Sequence, residues 1–215
     1  MKTQNYISKK IIFSIFGENY YHYVKSKKIL LDFLLGRDYD EINSTISKFL
    51  KADSVVLDIG ANMGQYLSRL SKIVSKGQII CVEPLPSNVK ALQSMKNSLG
   101  LNQCTIIAKA ISAKIGIAVI SIPKMNGVPI TTQATLLTPD KKNLYEMEHF
   151  EIETTTIDII VEEMKLSKLT FIKIDTEGLD DIVINSGINA ITKYKPLLKV
   201  EANCFSPKYK WIYDL

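Results

Sequence analysis

The strongest constraint on this sequence is a rhythm. Short apolar runs that do not alternate are each followed by a stretch with helical spacing. SVVLDIG, opening at Ser54, is apolar at consecutive positions, and QYLSRLSKIV then spaces Leu67, Leu70, Ile73 and Val74 along one helical face. GQIICVEP follows, opened by Gly77 and stopped by Pro84. PSNVKALQSMKNSLG reads as a helix with Ser87 as its cap, Val89, Leu92, Met95 and Leu99 on one face, and Gly100 at its end. CTIIAKAIS is a third strand and IGIAVISIP another close behind it. HFEIETTTIDIIVEEMK gives a strand and then a helix entered near Thr156, LTFIKIDTEG the next core strand, DDIVINSGINAI a helix broken at Gly187, and PLLKVEAN a last strand. Strands without alternation are buried on both faces, so the alternation predicts a mostly parallel sheet with helices on either side. The polar, turn-rich NGVPITTQATLLTPDKKN reads as an exposed loop.

The turn after the first strand carries the first chemical signal. Asp58 stands near the end of VVLDIG, and Gly60 and Gly64 follow within a few residues. In an open parallel sheet, ligands bind outside the carboxyl ends of the strands, where the strand order reverses. A dinucleotide requires GxGxxG there, because its pyrophosphate presses on the middle glycine. Here the register is Gly60-Ala61-Asn62-Met63-Gly64, with Asn62 in that place, which weakens the pyrophosphate reading. An acid at the strand end suits a ligand with a cationic amino group, which Asp58 reaches directly or through water. Glu83 ends the second strand, where a carboxylate accepts the hydroxyls of an adenosine ribose. Asp58, the Gly60/Gly64 turn and Glu83 together describe a site for S-adenosylmethionine.

On VVLDIGANMGQY, IICVEPLPSNVKAL, AIS at 110–112, TTTIDIIVEE and above all FIKIDTEGLDDIVINSG, the sequence resembles the FkbM family of S-adenosylmethionine-dependent O-methyltransferases. The resemblance runs from about Ser54 to Glu201. It implies an α/β fold: a Rossmann-like, doubly wound, mostly parallel sheet of the class I methyltransferase type. It places the cofactor contacts on Asp58, Gly60, Asn62, Gly64 and Glu83, with Ser112 closing AIS. The expected organisation is a helical N-terminal extension over 1–52 and a cofactor-binding methyltransferase domain over 53–215. Family members continue past PLLKVE with a helix and an antiparallel pair, whereas this sequence ends at Leu215. A non-catalytic or truncated S-adenosylmethionine-binding protein of the same fold is therefore the competing expectation.

FIKIDTEG forms a second constellation. In the doubly wound order its strand lies beside the first, so Asp58 and Asp175 flank one crevice. Lys173 and Asp175, two apart, share a strand face. Methyl transfer is an in-line displacement, and alignment alone supplies up to roughly 7–11 kcal/mol. An alcohol acceptor also has to lose its proton, which a nearby carboxylate takes as general base. Asp175 is the first candidate, Glu177 the second, and Lys173 completes the catalytic set. These polar groups also suit a strand end that caps the next helix. No metal is expected: Asp180 and Asp181 are read as running along that helix. His22 and His149 are read as structural.

Charge is uneven. The net formal charge is +5, and residues 1–52 carry nine Lys or Arg against five Asp or Glu, nine minus five giving +4. A solvated helical face accounts for this, and so does attraction to an anionic substrate such as a nucleotide sugar, or to a membrane surface. DYDEINSTISKFLK spaces Ile42, Ile46, Phe49 and Leu50 on one helical face. The apolar run Ile11–Phe16 is too short for a secretory core, and no run is long enough to span a bilayer. Cys81, Cys104 and Cys204 lack CxxC spacing, so neither a disulfide frame nor a zinc site is expected, and the chain reads as cytoplasmic. The acceptor is expected to be a hydroxyl of a sugar, glycan or small natural product. It would be held by residues 1–50, the loop 124–143 and the C-terminus, with Tyr20, Tyr21 and Trp211 able to stack on a ring. No nucleic acid partner is expected: there is no N/D-P-P-Y/F tetrapeptide, and the charge is modest.

Overall fold

The computed structural model describes residues 20, 23–35, 46–125, 128–129, 146–176 and 178–200. A helix over residues 23–34 (α1) precedes the sheet. The core alternates as the rhythm predicts: β1 (Val55–Ile59), α2 (Gln65–Ile73), β2 (Gln78–Val82), α3 (Pro86–Leu99) and β3 (Cys104–Ile107). After an excursion through β4 (Ala110–Ile111), β5 (Gly116–Met125), β6 (Val128–Pro129) and β7 (Glu146–Thr155), it resumes. Helix α4 (Ile157–Glu163), β8 (Phe171–Ile174), α5 (Asp180–Asn185), α6 (Ile188–Tyr194) and β9 (Leu197–Val200) complete it.

Five strands form a wholly parallel sheet in the order β3-β2-β1-β8-β9. The chain winds outward from β1 through β2 to β3, then returns to β8 beside β1 and winds the other way. The order therefore reverses between β1 and β8, and this is a doubly wound α/β fold. Both faces are covered, which is why β1 reads as a continuous apolar run. Val55, Leu57 and Ile59 face one layer with Ile172, Ile174, Ile157, Ile160, Val183 and Ile191. Val56, Ile79 and Phe171 face the other with Leu67, Leu70, Leu92 and Met95. Thr156 caps α4 by accepting the Ile159 N–H at 3.1 Å, as TTTIDIIVEE predicts.

Three local expectations change. The run CTIIAKAIS does not form one strand: β3 ends at Ile107, and Ala110–Ile111 cross to pair with Thr154–Thr155. IGIAVISIP is a strand close behind it, as expected, and lies in a second, four-stranded sheet in the order β4-β7-β5-β6. Its inner side chains Ile120, Ile122 and Ile152 pack on Leu85, just past the end of β2. Ser87 does not cap α3. Leu85 is the N-cap and Pro86 opens the helix, a position where the missing N–H costs nothing. In the stretch 46–50, Ile46 and Leu50 are buried but Phe49 is 58% exposed, because residues 47–49 turn rather than continue a helix. No described helix is long and apolar enough to cross a membrane.

Candidate functional site

Asp58, Lys173 and Lys199 are register partners across β1, β8 and β9, so the three side chains form one row on one sheet face. Lys173 is buried. Its Nζ donates to the Gly60 carbonyl at 2.9 Å and meets Asp175 Oδ2 at 3.0 Å, and it forms an ion pair with Asp58 Oδ1 at 3.4 Å. Lys173 thus ties the turn after β1 to the tip of β8. Asp58 has no exposed surface, and no described donor lies within hydrogen-bond reach of either carboxylate oxygen. The 3.4 Å approach of Lys173 is an ion pair rather than a full hydrogen bond. Burial pushes the Asp58 carboxyl above its usual range, although Lys173 opposes this. Burial by itself lowers the Lys173 ammonium, but Asp58 and Asp175 outweigh it and its pKa ends above the ordinary lysine value. Asp175 is 39% exposed and stands at the mouth, with its N–H donating to the Ile59 carbonyl at 3.2 Å.

The turn Gly60–Gly64 folds over the end of β2. Gly60 and Ala61 both donate to the Val82 carbonyl, at 3.0 and 3.2 Å. Protein atoms fill the space beside both glycines. A Cβ on Gly60 would stand 2.0 Å from the Asp175 carbonyl oxygen, and one on Gly64 would stand 2.8 Å from Met95 Sδ. Both have positive φ, +72° and +94°, as does Asn62 at +50°. The glycines are thus required by neighbouring strand and helix, independently of any ligand. Asn62 steadies the turn with its Oδ1 accepting the Met63 N–H at 2.9 Å.

Glu83 is buried at the end of β2. Its Oε2 accepts the Asn62 N–H at 2.9 Å, and its Oε1 accepts the Leu85 N–H at 3.0 Å and Asn88 Nδ2 at 3.1 Å. Burial raises its carboxyl, and these three donors oppose the rise. A carboxylate has about four lone-pair sites, so Glu83 keeps capacity for a further hydroxyl. Ser112 lies past β4, its N–H held by the Thr155 carbonyl at 2.9 Å. Glu177 lies outside the described residues, as do Tyr21, His22, Cys204 and Trp211. His149 pairs with Ser121 across β5 and β7, its Nδ1 3.0 Å from the Ser121 hydroxyl. Asp180 turns inward rather than running along the helix surface: it is buried and accepts the Thr176 hydroxyl at 3.0 Å.

Two members of the cluster carry no motif. Tyr66, on the first turn of α2, lies under the ammonium groups of Lys173 and Lys199, 5.0 and 4.5 Å from its ring centroid. Lys199 also donates to the Tyr66 hydroxyl. Lys199 was legible only as part of PLLKVE, and Tyr66 only as the last residue of VVLDIGANMGQY.

Asp58 is sealed under Lys173 and out of a ligand's reach, so the fit to a nucleoside ligand such as S-adenosylmethionine rests on the left-handed turn and the spare acceptor capacity of Glu83. Across the cluster, Asp58 and Asp175 face Lys173 and Lys199, so these charges balance.

The methyltransferase FkbM domain matches residues 58–212. The 2-O-methyltransferase NoeI of Sinorhizobium fredii (strain NBRC 101917 / NGR234) is 28% identical over 158 residues, covering 69% of this chain and 63% of that protein's length. A solved structure, a SAM-dependent methyltransferase from Aquifex aeolicus, is 26% identical with a TM-score of 0.33, covering 43% of this chain and 50% of that one. The family match begins at Asp58 itself and takes in every element of the parallel sheet beyond β1, so this chain belongs to the methyltransferase FkbM domain family.

Proposed function

We propose that this chain is an S-adenosylmethionine-dependent O-methyltransferase acting on a hydroxyl of a sugar, glycan or small natural product. The observation that carries the reading is the Asp58–Lys173–Asp175 triad at the point where the strand order reverses. S-adenosylmethionine, when bound, supplies a methyl group already activated on a sulfonium. The chain's own residues do the rest. Glu83 accepts ribose hydroxyls at the tip of β2. Gly60, Asn62 and Gly64 shape the floor of the crevice, and Ser112 is a further candidate cofactor contact. Asp58, sealed beneath Lys173, contributes negative charge from below instead of touching the ligand. Asp175, half-exposed at the mouth, accepts the acceptor's proton, with Glu177 as the second candidate. Lys173 is a positioning residue: it fixes Asp175 against the Gly60 carbonyl, and alignment of this kind is where most of the rate for an in-line displacement originates. The relative's description as a 2-O-methyltransferase supports oxygen as the methyl acceptor.

The test is transfer of an isotopically labelled methyl group from S-adenosylmethionine to a panel of sugars, glycans and small alcohols, read by mass spectrometry. Label on a hydroxyl, lost in Asp175→Asn, supports the reading. Label on nitrogen, or cofactor binding with no transfer to any oxygen acceptor, overturns it.

A further inference from the structure

Helix α1 is apolar on two sides, and among the described residues only one of them packs on the core. On the inner side Ser26 is buried, Ile29 packs on the core, and Phe33 lies under the Lys72 ammonium at 4.3 Å. On the outer side Tyr20, Tyr23, Leu31 and Leu34 recur at helical spacing, with Leu35 beside them. Their exposures are 44, 55, 52, 64 and 52%. Lys27 stands on this same face, its Nζ 5.4 Å from the Tyr23 ring centroid, and the exposed Lys28 flanks it, paired with Asp32 at 2.7 Å. Residues 20–35 together hold three lysines and one acid.

We infer that this face docks on a bilayer surface carrying anionic lipid. An interfacial helix needs an apolar side of leucines and aromatic rings, with basic groups close enough to reach headgroup phosphates. Tyrosine offers an apolar ring with a polar tip, which suits that depth. Lysine extends its stem over apolar surface and keeps its ammonium in the polar layer. A second copy of this chain is the poorer occupant, because packing this face against another apolar face would bury the Lys27 ammonium. The 12 residues of α1 span about 18 Å of helix, which lies along a surface rather than crossing it. The inference is independent of the strand-tip site.

The test is co-sedimentation of the full chain with vesicles of phosphatidylcholine and phosphatidylglycerol in equal parts, against phosphatidylcholine alone. The protein sediments with the anionic vesicles, and less so as salt rises. Lys27→Ala weakens partitioning about fivefold, and Leu31→Glu with Leu34→Glu removes it while the thermal melt is kept. Equal partitioning of wild type and both variants overturns the inference. So does a dimer in sedimentation velocity that the double variant dissociates, with no vesicle binding, because a second copy then covers the face. Should the double variant fold poorly, Lys27→Ala and the salt dependence decide alone.

Discussion

Lys173 and Asp58 sit opposite each other across β8 and β1, and the ammonium of one is the nearest cation to the sealed carboxylate of the other, at 3.4 Å. Removing the lysine leaves a fully buried charge without its nearby ion-pair partner. Lys173→Met is therefore expected to cost about 3–5 kcal/mol of folding stability, measured by chemical denaturation. Adding Asp58→Asn to that variant recovers part of the loss. Costs that simply add would mean the two side chains do not act as a pair.

The pair also sets a pH dependence. The folded-state pKa of Lys173 lies above its ordinary 10.5. A raised pKa contributes stability that is fully present below the unfolded value and is lost as pH rises through the folded one. The stability gap between wild type and Lys173→Met is expected to shrink above pH 10.5, measured by urea titrations at a series of alkaline pH values. Asp58 and Glu83, raised by burial above 3.8 and 4.5, act in the same sense. Their contribution is present in acid and lost as pH rises through their folded values, so neither drives acid unfolding.

The parallel sheet was legible because its signals are local. Val55–Ile59 has no polar alternation, and Asp58, Gly60 and Glu83 fall at strand ends wherever the strands are drawn. The adjacency of Asp58 and Asp175 followed from the winding rule and is seen in the structure. What stayed hidden depends on distant partners. Nothing in Ile106-Ile107-Ala108 marks where the chain leaves one sheet for another, since the partner of Ala110 is Thr154. Tyr66 and Lys199 meet only because β9 lies beside β8 and the Tyr66 ring reaches both Lys173 and Lys199. The purpose of the glycines was half-read: they do relieve close contacts, but with Asp175 and Met95.

Those contacts rank two substitutions. Gly60→Ala places a methyl group 2.0 Å from a backbone oxygen that cannot move without breaking β8, whereas Gly64→Ala meets the flexible end of Met95 at 2.8 Å. The left-handed backbone costs an alanine about 1–2 kcal/mol at either position. Gly60→Ala is expected to be clearly the more destabilising, and a thermal melt of both variants checks the order.

Asp158 joins α4 to α6. Its Oδ1 accepts the Ala190 N–H at 2.8 Å, and its Oδ2 accepts Asn189 Nδ2 at 2.8 Å and the Asn189 N–H at 3.3 Å. It caps a helix it does not belong to. Asp158→Ala is expected to cost about 1–2 kcal/mol, as loss of an N-cap does, measured by denaturation. A loss below a few tenths of a kcal/mol would show that the cap is replaced by water.

Calorimetric titration with S-adenosylhomocysteine, beside NAD, tests most directly whether the tips of β1, β2 and β8 hold the cofactor. The account predicts one site for S-adenosylhomocysteine, weakened at least tenfold in Glu83→Gln and in Lys173→Met as far as each remains folded, and no heat with NAD. Binding of NAD, or S-adenosylhomocysteine binding that is unchanged in both folded variants, would contradict it.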